Sequence, residues 1–151
     1  MVASVQMKGV RDQVKQLRAI AARAENPGKV AVKLYNLAEE DFKQRFKSSP
    51  STTSSGEVYG GTRWQRLSEA YLASRPQRKT GKQLLDTKEL SKSFRRGQPG
   101  NIARVNGNII EFGSSLPKAE GLNEKRKLVV IHQKLVDDAE TILTEYVLGE
   151  K

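Results

Sequence analysis

Thr62-Arg63-Trp64-Gln65-Arg66-Leu67 and its continuation Thr80-Gly81-Lys82-Gln83-Leu84-Leu85-Asp86-Thr87-Lys88-Glu89-Leu90-Ser91-Lys92-Ser93-Phe94 decide how the chain is read. This stretch holds the only Trp among 151 residues. It also carries a helix-start signal. Asp86 followed three residues later by Glu89 has the spacing of a capping box, in which each side chain accepts a hydrogen bond from an otherwise unpaired backbone N–H. Leu90 and Phe94 then fall one turn apart on one helix face. Arg95, Arg96 and Gly97 are suited to close that helix, with cations at the negative end of its dipole and a glycine at the stop.

The same region concentrates charge. Thr62 to Arg104 contains eleven Lys/Arg against three acids, a net +8, whereas the whole chain has a net charge of +10. Such a balance favours an anionic partner: nucleic acid, a membrane surface or an acidic protein face. The cations singled out are Arg75, Arg78, Lys79, Lys82, Arg95 and Arg96. Aromatic residues for base stacking are sparse there (Trp64, Tyr71, Phe94), which disfavours single-strand or sequence-specific binding. Contact with duplex phosphates, docking of an acidic protein face and simple solvation all fit this band.

Upstream, Met7, Val10, Val14, Leu17, Ala21 and Ala24 recur at spacings of three and four, the signature of an amphipathic helix. Pro27-Gly28 interrupts, and a second helix follows with Val30, Leu34, Leu37, Ala38, Phe42 and Phe46 on one face and Glu39, Glu40 and Asp41 in solvent. Two helices joined by a short turn suggest an αα-hairpin. One of its stripes packs as core or meets a neighbouring subunit. Residues 48–61 are rich in Ser, Thr and Gly and read as a mobile loop. Leu67, Ala70, Tyr71 and Ser74 fit a short helix that Arg75-Pro76 ends.

Downstream, Ile102 to Val105 and Asn108 to Phe112 flank Asn106-Gly107, a strong hairpin signal because both central residues must take positive φ. Ser114 to Lys127 reads as loop and Leu128 to Ile131 as a strand. Val136, Ala139, Tyr146 and Val147 mark a C-terminal helix with Asp137, Asp138 and Glu140 at its positive end and Gly149 at its stop. The expectation is a single α+β domain over residues 1–151. In it an N-terminal αα-hairpin and a C-terminal helix pack on a small antiparallel sheet, with one capped helix in the middle.

Chemistry finds little support. There is one histidine, His132, and no cysteine, so thiolate chemistry, disulfides and Cys-based zinc sites are excluded. His132 reads as structural, and Asp137 and Asp138 serve the helix dipole. No phosphate loop or nucleophile elbow is present. We therefore expect no catalysis, no metal and no cofactor. No apolar run approaches the ~20 residues of a membrane span, and the N-terminus lacks the order of a signal peptide.

Trp64-x-x-Leu67, then Gly81-x-x-Leu84-Leu85-Asp86-Thr87-x-x-Leu90-x-x-Ser93, then a hairpin ending in Gly113-Ser114, resembles the phage virion morphogenesis family. These are the tail-completion or head–tail joining proteins of tailed phages. Residue matches run from Thr62 to Ser115. The family pattern has Gly after its Asp-Thr pair, where this chain has Lys88. The resemblance implies a structural, non-enzymatic role at the head–tail junction, as a homo-oligomeric ring around the DNA channel. Its partners would be neck, connector or tail-tube proteins and packaged duplex DNA, with no membrane. Location would be the virion, and the host cytoplasm during assembly. Trp64, Leu67, Leu85, Asp86, Thr87, Leu90 and Ser93 would be structural motif residues. The alternative is a small basic protein that binds nucleic acid without reading sequence.

Overall fold

The computed structural model describes residues 10–84, 88–106 and 109–149. Met7, the Leu85-Asp86-Thr87 run and Gly107 lie outside the described residues, as do the side chains of Val10, Val14 and Leu17.

Helix α1 spans Val10–Glu25 and α2 spans Ala31–Lys47. Pro27–Lys29 forms a single 3-10 turn between them. Along α2, Ala31, Tyr35, Phe42 and Phe46 are buried at helical spacing. Strands β1 (Gly56–Val58) and β2 (Thr62–Trp64) pair antiparallel, with Gly56 opposite Trp64. Helix α3 (Glu69–Ser74) follows, and a 3-10 turn over Pro76–Lys79 continues from it. Helix α4 is short, Glu89–Ser93. Strands β3 (Asn101–Asn106) and β4 (Ile109–Ser114) form the second antiparallel pair, and α5 (Pro117–Arg126) and α6 (Gln133–Leu148) complete the chain. The molecule is α+β, with two separate two-stranded sheets among the described residues.

The core is aromatic and sits where α2, α4, both hairpins and α5 converge. Phe42, Phe46, Val58, Trp64, Leu90, Phe94, Ala119 and Leu128 form one buried cluster. Phe42 stacks on Phe94 with ring centroids 4.1 Å apart, and Phe46 meets Phe94 at 5.8 Å. Trp64 is 1% exposed. The expected pairing of Leu90 with Phe94 on one face is therefore present, and the face is turned inward.

Helix α6 packs chiefly on α2 and α1, so the C-terminal helix closes the helical side of the molecule instead of lying on a sheet. Side chains fasten it: Arg23 Nε donates to the Val147 carbonyl at 2.8 Å and the Tyr146 hydroxyl donates to the Asn26 carbonyl at 2.6 Å. Gly149 ends α6 at φ +78, and a Cβ there would meet the Arg23 guanidinium at 3.1 Å. Gly100 has a similar double demand, with φ +82 and a would-be Cβ 2.8 Å from Leu116 Cδ2.

Several expectations are corrected. Residues 48–61 are packed, not loose. Ser49 and Thr52 are buried, and β1 lies within the segment. The cause is Gln83, fully buried, whose side-chain N–H groups donate to the Ser51 and Ser54 carbonyls at 3.2 and 3.0 Å while its backbone carbonyl accepts from Ser49 Oγ at 2.7 Å. Residues 117–126 are helix rather than loop. Pro117 sits at the first helical position, where its missing N–H costs nothing, and Ala119 and Leu122 pack on the core. Leu128–Ile131 is not a strand, because its backbone groups are taken by side chains: the Leu128 carbonyl accepts from Arg45 and the Val129 N–H donates to Asn123 Oδ1. In the β3–β4 ladder Asn106 pairs with Ile109, so Asn106 is the last residue of β3 and not a central residue of the turn. Helix α6 begins at Gln133, which moves Asp137 and Asp138 into its second turn; there they bond Gln133 and Lys134. Lys88, not Asp86, occupies the position preceding α4 and makes no side-chain cap.

Candidate partner-binding site

Two charged assemblies organise the surface and the layer beneath it. The inner one centres on Arg45, 1% exposed. Its guanidinium donates to Asp41 Oδ2 at 2.6 Å, to the Leu128 carbonyl at 2.8 Å and to the Tyr59 carbonyl at 3.1 Å. Asp41, buried one turn earlier on α2, meets His132 Nε2 through its other oxygen at 2.5 Å. The His132 ring lies edge-on to Tyr59. A buried charge survives only when paired and hydrogen-bonded, and this one is satisfied on every side. Asp41 is thus not in solvent, as its acidic neighbours suggested. One side-chain cluster ties α2 to the β1–β2 turn and to the segment between α5 and α6. His132 is a member of this cluster, half-buried against Asp41 and Tyr59.

The six cations of the expected band do not form one exposed surface. Arg75 and Lys79 are exposed, and the Arg75 guanidinium lies 5.9 Å from the centre of the Tyr71 ring. Lys82 is exposed and donates to the Lys47 carbonyl at 2.8 Å. Arg78 is buried and donates to the Lys82 carbonyl at 3.2 Å. Arg95 is exposed. Arg96 is bound to Glu39 and Asn36 on α2 and lies over the Tyr35 ring, so its charge is already answered. Counting cations along the chain could not separate the buried and paired ones from the free.

The structure instead brings together a basic cleft of about 590 Å³ from three parts of the sequence. Arg66 stands after β2, Lys118 and Lys125 on α5, and Arg126 at the C-terminal end of α5, with the buried Arg78 behind. No carboxylate is among the described residues that line it. The floor is apolar: Leu84, Leu90 and Leu122, with Tyr71 along one side. Arg66 and Lys125 are exposed, and Lys118 reaches out to Glu89 at 2.7 Å. Burial holds the Arg126 guanidinium below its ordinary pKa, and its Nε is buried with no hydrogen-bond partner among the described residues. Exposed cations at the rim, with the half-buried Arg126 and a hydrophobic floor beneath, favour a ligand that is both anionic and apolar. The sequence carried a faint signal of this in Lys125-Arg126-Lys127, which lay in what looked like loop.

The motif residues behave as structure. Trp64, Leu90 and Ser93 are buried and Leu67 half-buried. Ser93 Oγ donates to the Leu90 carbonyl at 2.6 Å and lies 2.7 Å from Ser114 Oγ, and Asn101 Nδ2 donates to the carbonyls of Ser93 and Gly113 at 3.0 and 3.1 Å. Among the described residues no group of three or more His, Asp or Glu is placed to hold a metal, and no helix is long and apolar enough to cross a membrane. No family model, curated protein or solved structure matches this chain.

Proposed function

We propose that the protein is a structural component of the head–tail junction of a tailed phage, a tail-completion or neck protein that acts as a homo-oligomeric ring around the DNA channel. The observation that carries this reading is the convergence of the separated motif residues. Trp64 and Leu90 share one core, and Ser93 and Gly113-Ser114 share one hydrogen-bond cluster that Ser93 Oγ ties to the Leu90 carbonyl. Lys88 supports it independently. This residue stands where the resembled pattern has Gly, and it takes φ +59, the left-handed conformation that glycine adopts freely and lysine at a cost of ~1–2 kcal/mol.

In this role the chain works through surfaces. The aromatic core and the Arg45 cluster give a rigid body, and the basic cleft and exposed cations supply contacts to acidic neighbours or to DNA phosphates. The test is electron microscopy of lysates from a phage carrying this gene with a stop codon at Trp64. DNA-filled heads beside separate tails are expected. Intact, infectious particles would overturn the reading.

A further inference from the structure

We infer that the basic cleft receives the outward face of helix α6 from a second copy of the chain, forming a head-to-tail contact between neighbouring subunits. The inference rests on the ring assembly proposed above and names its contact.

Charge and polarity choose the occupant. Within α6, Gln133–Leu148 carries four acids and one lysine, a net −3 in a chain of net +10, the most acidic element among the described residues. Its outward stripe presents Asp137, Glu140 and Thr141, ending at the exposed Leu148. Lys134 is neutralised by Asp138, so it does not oppose docking. The cleft offers the complement, cations above leucines. Duplex DNA is a poorer fit, because phosphates stay hydrated and have nothing to place on Leu84 and Leu122, whereas a helix face carrying Asp, Glu and Leu answers both features. Helix α6 packs on α1 and α2, and the cleft is built by α3, α4 and α5 with the flanking chain. Two different surfaces therefore meet, the heterologous arrangement that generates rings when the rotation closes.

Sedimentation velocity of the full chain at low and high salt tests this. The native chain is expected to associate reversibly, and NaCl should weaken association by screening the exposed charges. Arg66→Glu with Lys125→Glu takes the five lining cations of the cleft from +5 to +1, and Asp137→Lys with Glu140→Lys takes the helix from −3 to +1. All four positions are exposed, and unchanged circular dichroism melts would establish that both variants fold. Each variant alone should lose at least tenfold in self-association. An equimolar mixture should recover pairwise association, since the unchanged cleft of the helix variant then meets the unchanged helix of the cleft variant. A native chain that stays monomeric up to its solubility limit overturns the inference. So do reversals that leave association unchanged, or a mixture that fails to recover. Duplex binding that the cleft reversal abolishes would reassign the cleft to nucleic acid and also overturn it. The two readings fail separately. Recovery in the mixture with intact particles from the Trp64 stop codon keeps the contact and removes the joining role. Unjoined heads and tails with a monomeric native chain do the reverse.

Discussion

Replacing Arg45 with methionine should be the most damaging single change to this molecule's stability. Methionine keeps much of the aliphatic length, so the loss isolates the guanidinium. That group is 1% exposed and makes three hydrogen bonds, at 2.6, 2.8 and 3.1 Å. Without it Asp41 remains buried with His132 as its remaining partner, and breaking a buried pair in this way costs ~3–5 kcal/mol. The Leu128 and Tyr59 carbonyls also lose a charged donor, and each such bond contributes ~1.5–3 kcal/mol. These losses overlap, since one relaxation serves all three, so the expected total is ~4–5 kcal/mol. Against a typical stability of ~5–15 kcal/mol this is a large fraction, and in a domain of this size it lowers Tm by ~10 °C or more. Urea and thermal melts read it directly. The double change Arg45→Met with Asp41→Asn should cost less than the sum of the single changes, with a coupling of ~1–3 kcal/mol, because the second substitution removes the charge the first one orphans. An Arg45→Met protein within ~1 kcal/mol of the parent would refute the assignment of this cluster as the clamp between α2 and the chain before α6.

Four further outcomes follow from the same geometry. Trp64→Ala should cost ~3–5 kcal/mol in a thermal melt, because the ring is buried in the aromatic core; an unchanged melt would contradict that placement. Lys88→Gly should stabilise by roughly 1 kcal/mol, since φ +59 strains lysine and not glycine, and a destabilised variant would show that the conformation is not intrinsic to the turn. Arg78→Glu should lower Tm measurably while Lys79→Glu leaves it within error, because only Arg78 is buried; equal melts would sink that distinction. The hydrogen bond and charge of Asp138 raise the Lys134 pKa above its ordinary value. A raised lysine contributes stability that is complete below its unfolded value and is lost as pH climbs through the folded one. The melting difference between the parent and Lys134→Met should therefore be flat through neutral pH and disappear in the alkaline range.

What sequence patterning could reach were the elements whose signals are local. The Phe42 and Phe46 end of the α2 face, the Arg75-Pro76 stop of α3, the β3–β4 hairpin and the Gly149 stop of α6 all depend on residues a few positions apart, and the structure has them, although the inward face of α2 also takes in Ala31, Tyr35, Asp41 and Arg45 and leaves Leu34, Leu37 and Ala38 half-buried. Misread elements were those stabilised from a distance. Residues 48–61 look like loop because Ser and Thr bury little alone, and only Gln83, some thirty residues on, supplies their partners. Helix α5 lacks a strong amphipathic stripe and exists because Ala119 and Leu122 meet a core assembled elsewhere. Leu128–Ile131 is β-rich in composition but has no strand beside it. At the surface, linear counting found the right sign of charge and the wrong members. Arg78 and Arg96 are consumed internally, while Arg66 and the α5 cations, far apart in sequence, share one cleft.

The solitary tryptophan gives the molecule an optical property. Trp64 lies inside the aromatic cluster, beneath the leucines that floor the basic cleft, and is itself 1% exposed and not among the residues that line that cleft. Its emission in the folded chain is that of an indole sealed from water, with no second fluorophore of its kind to dilute the signal. Denaturation moves that emission to longer wavelength in a single-site readout. Subunit docking has no water to remove from an indole that is already sealed, so it leaves the wavelength in place and changes the rate at which the emission depolarises. One sample under one lamp thus distinguishes a chain that has come apart from its neighbours from a chain that has lost its fold.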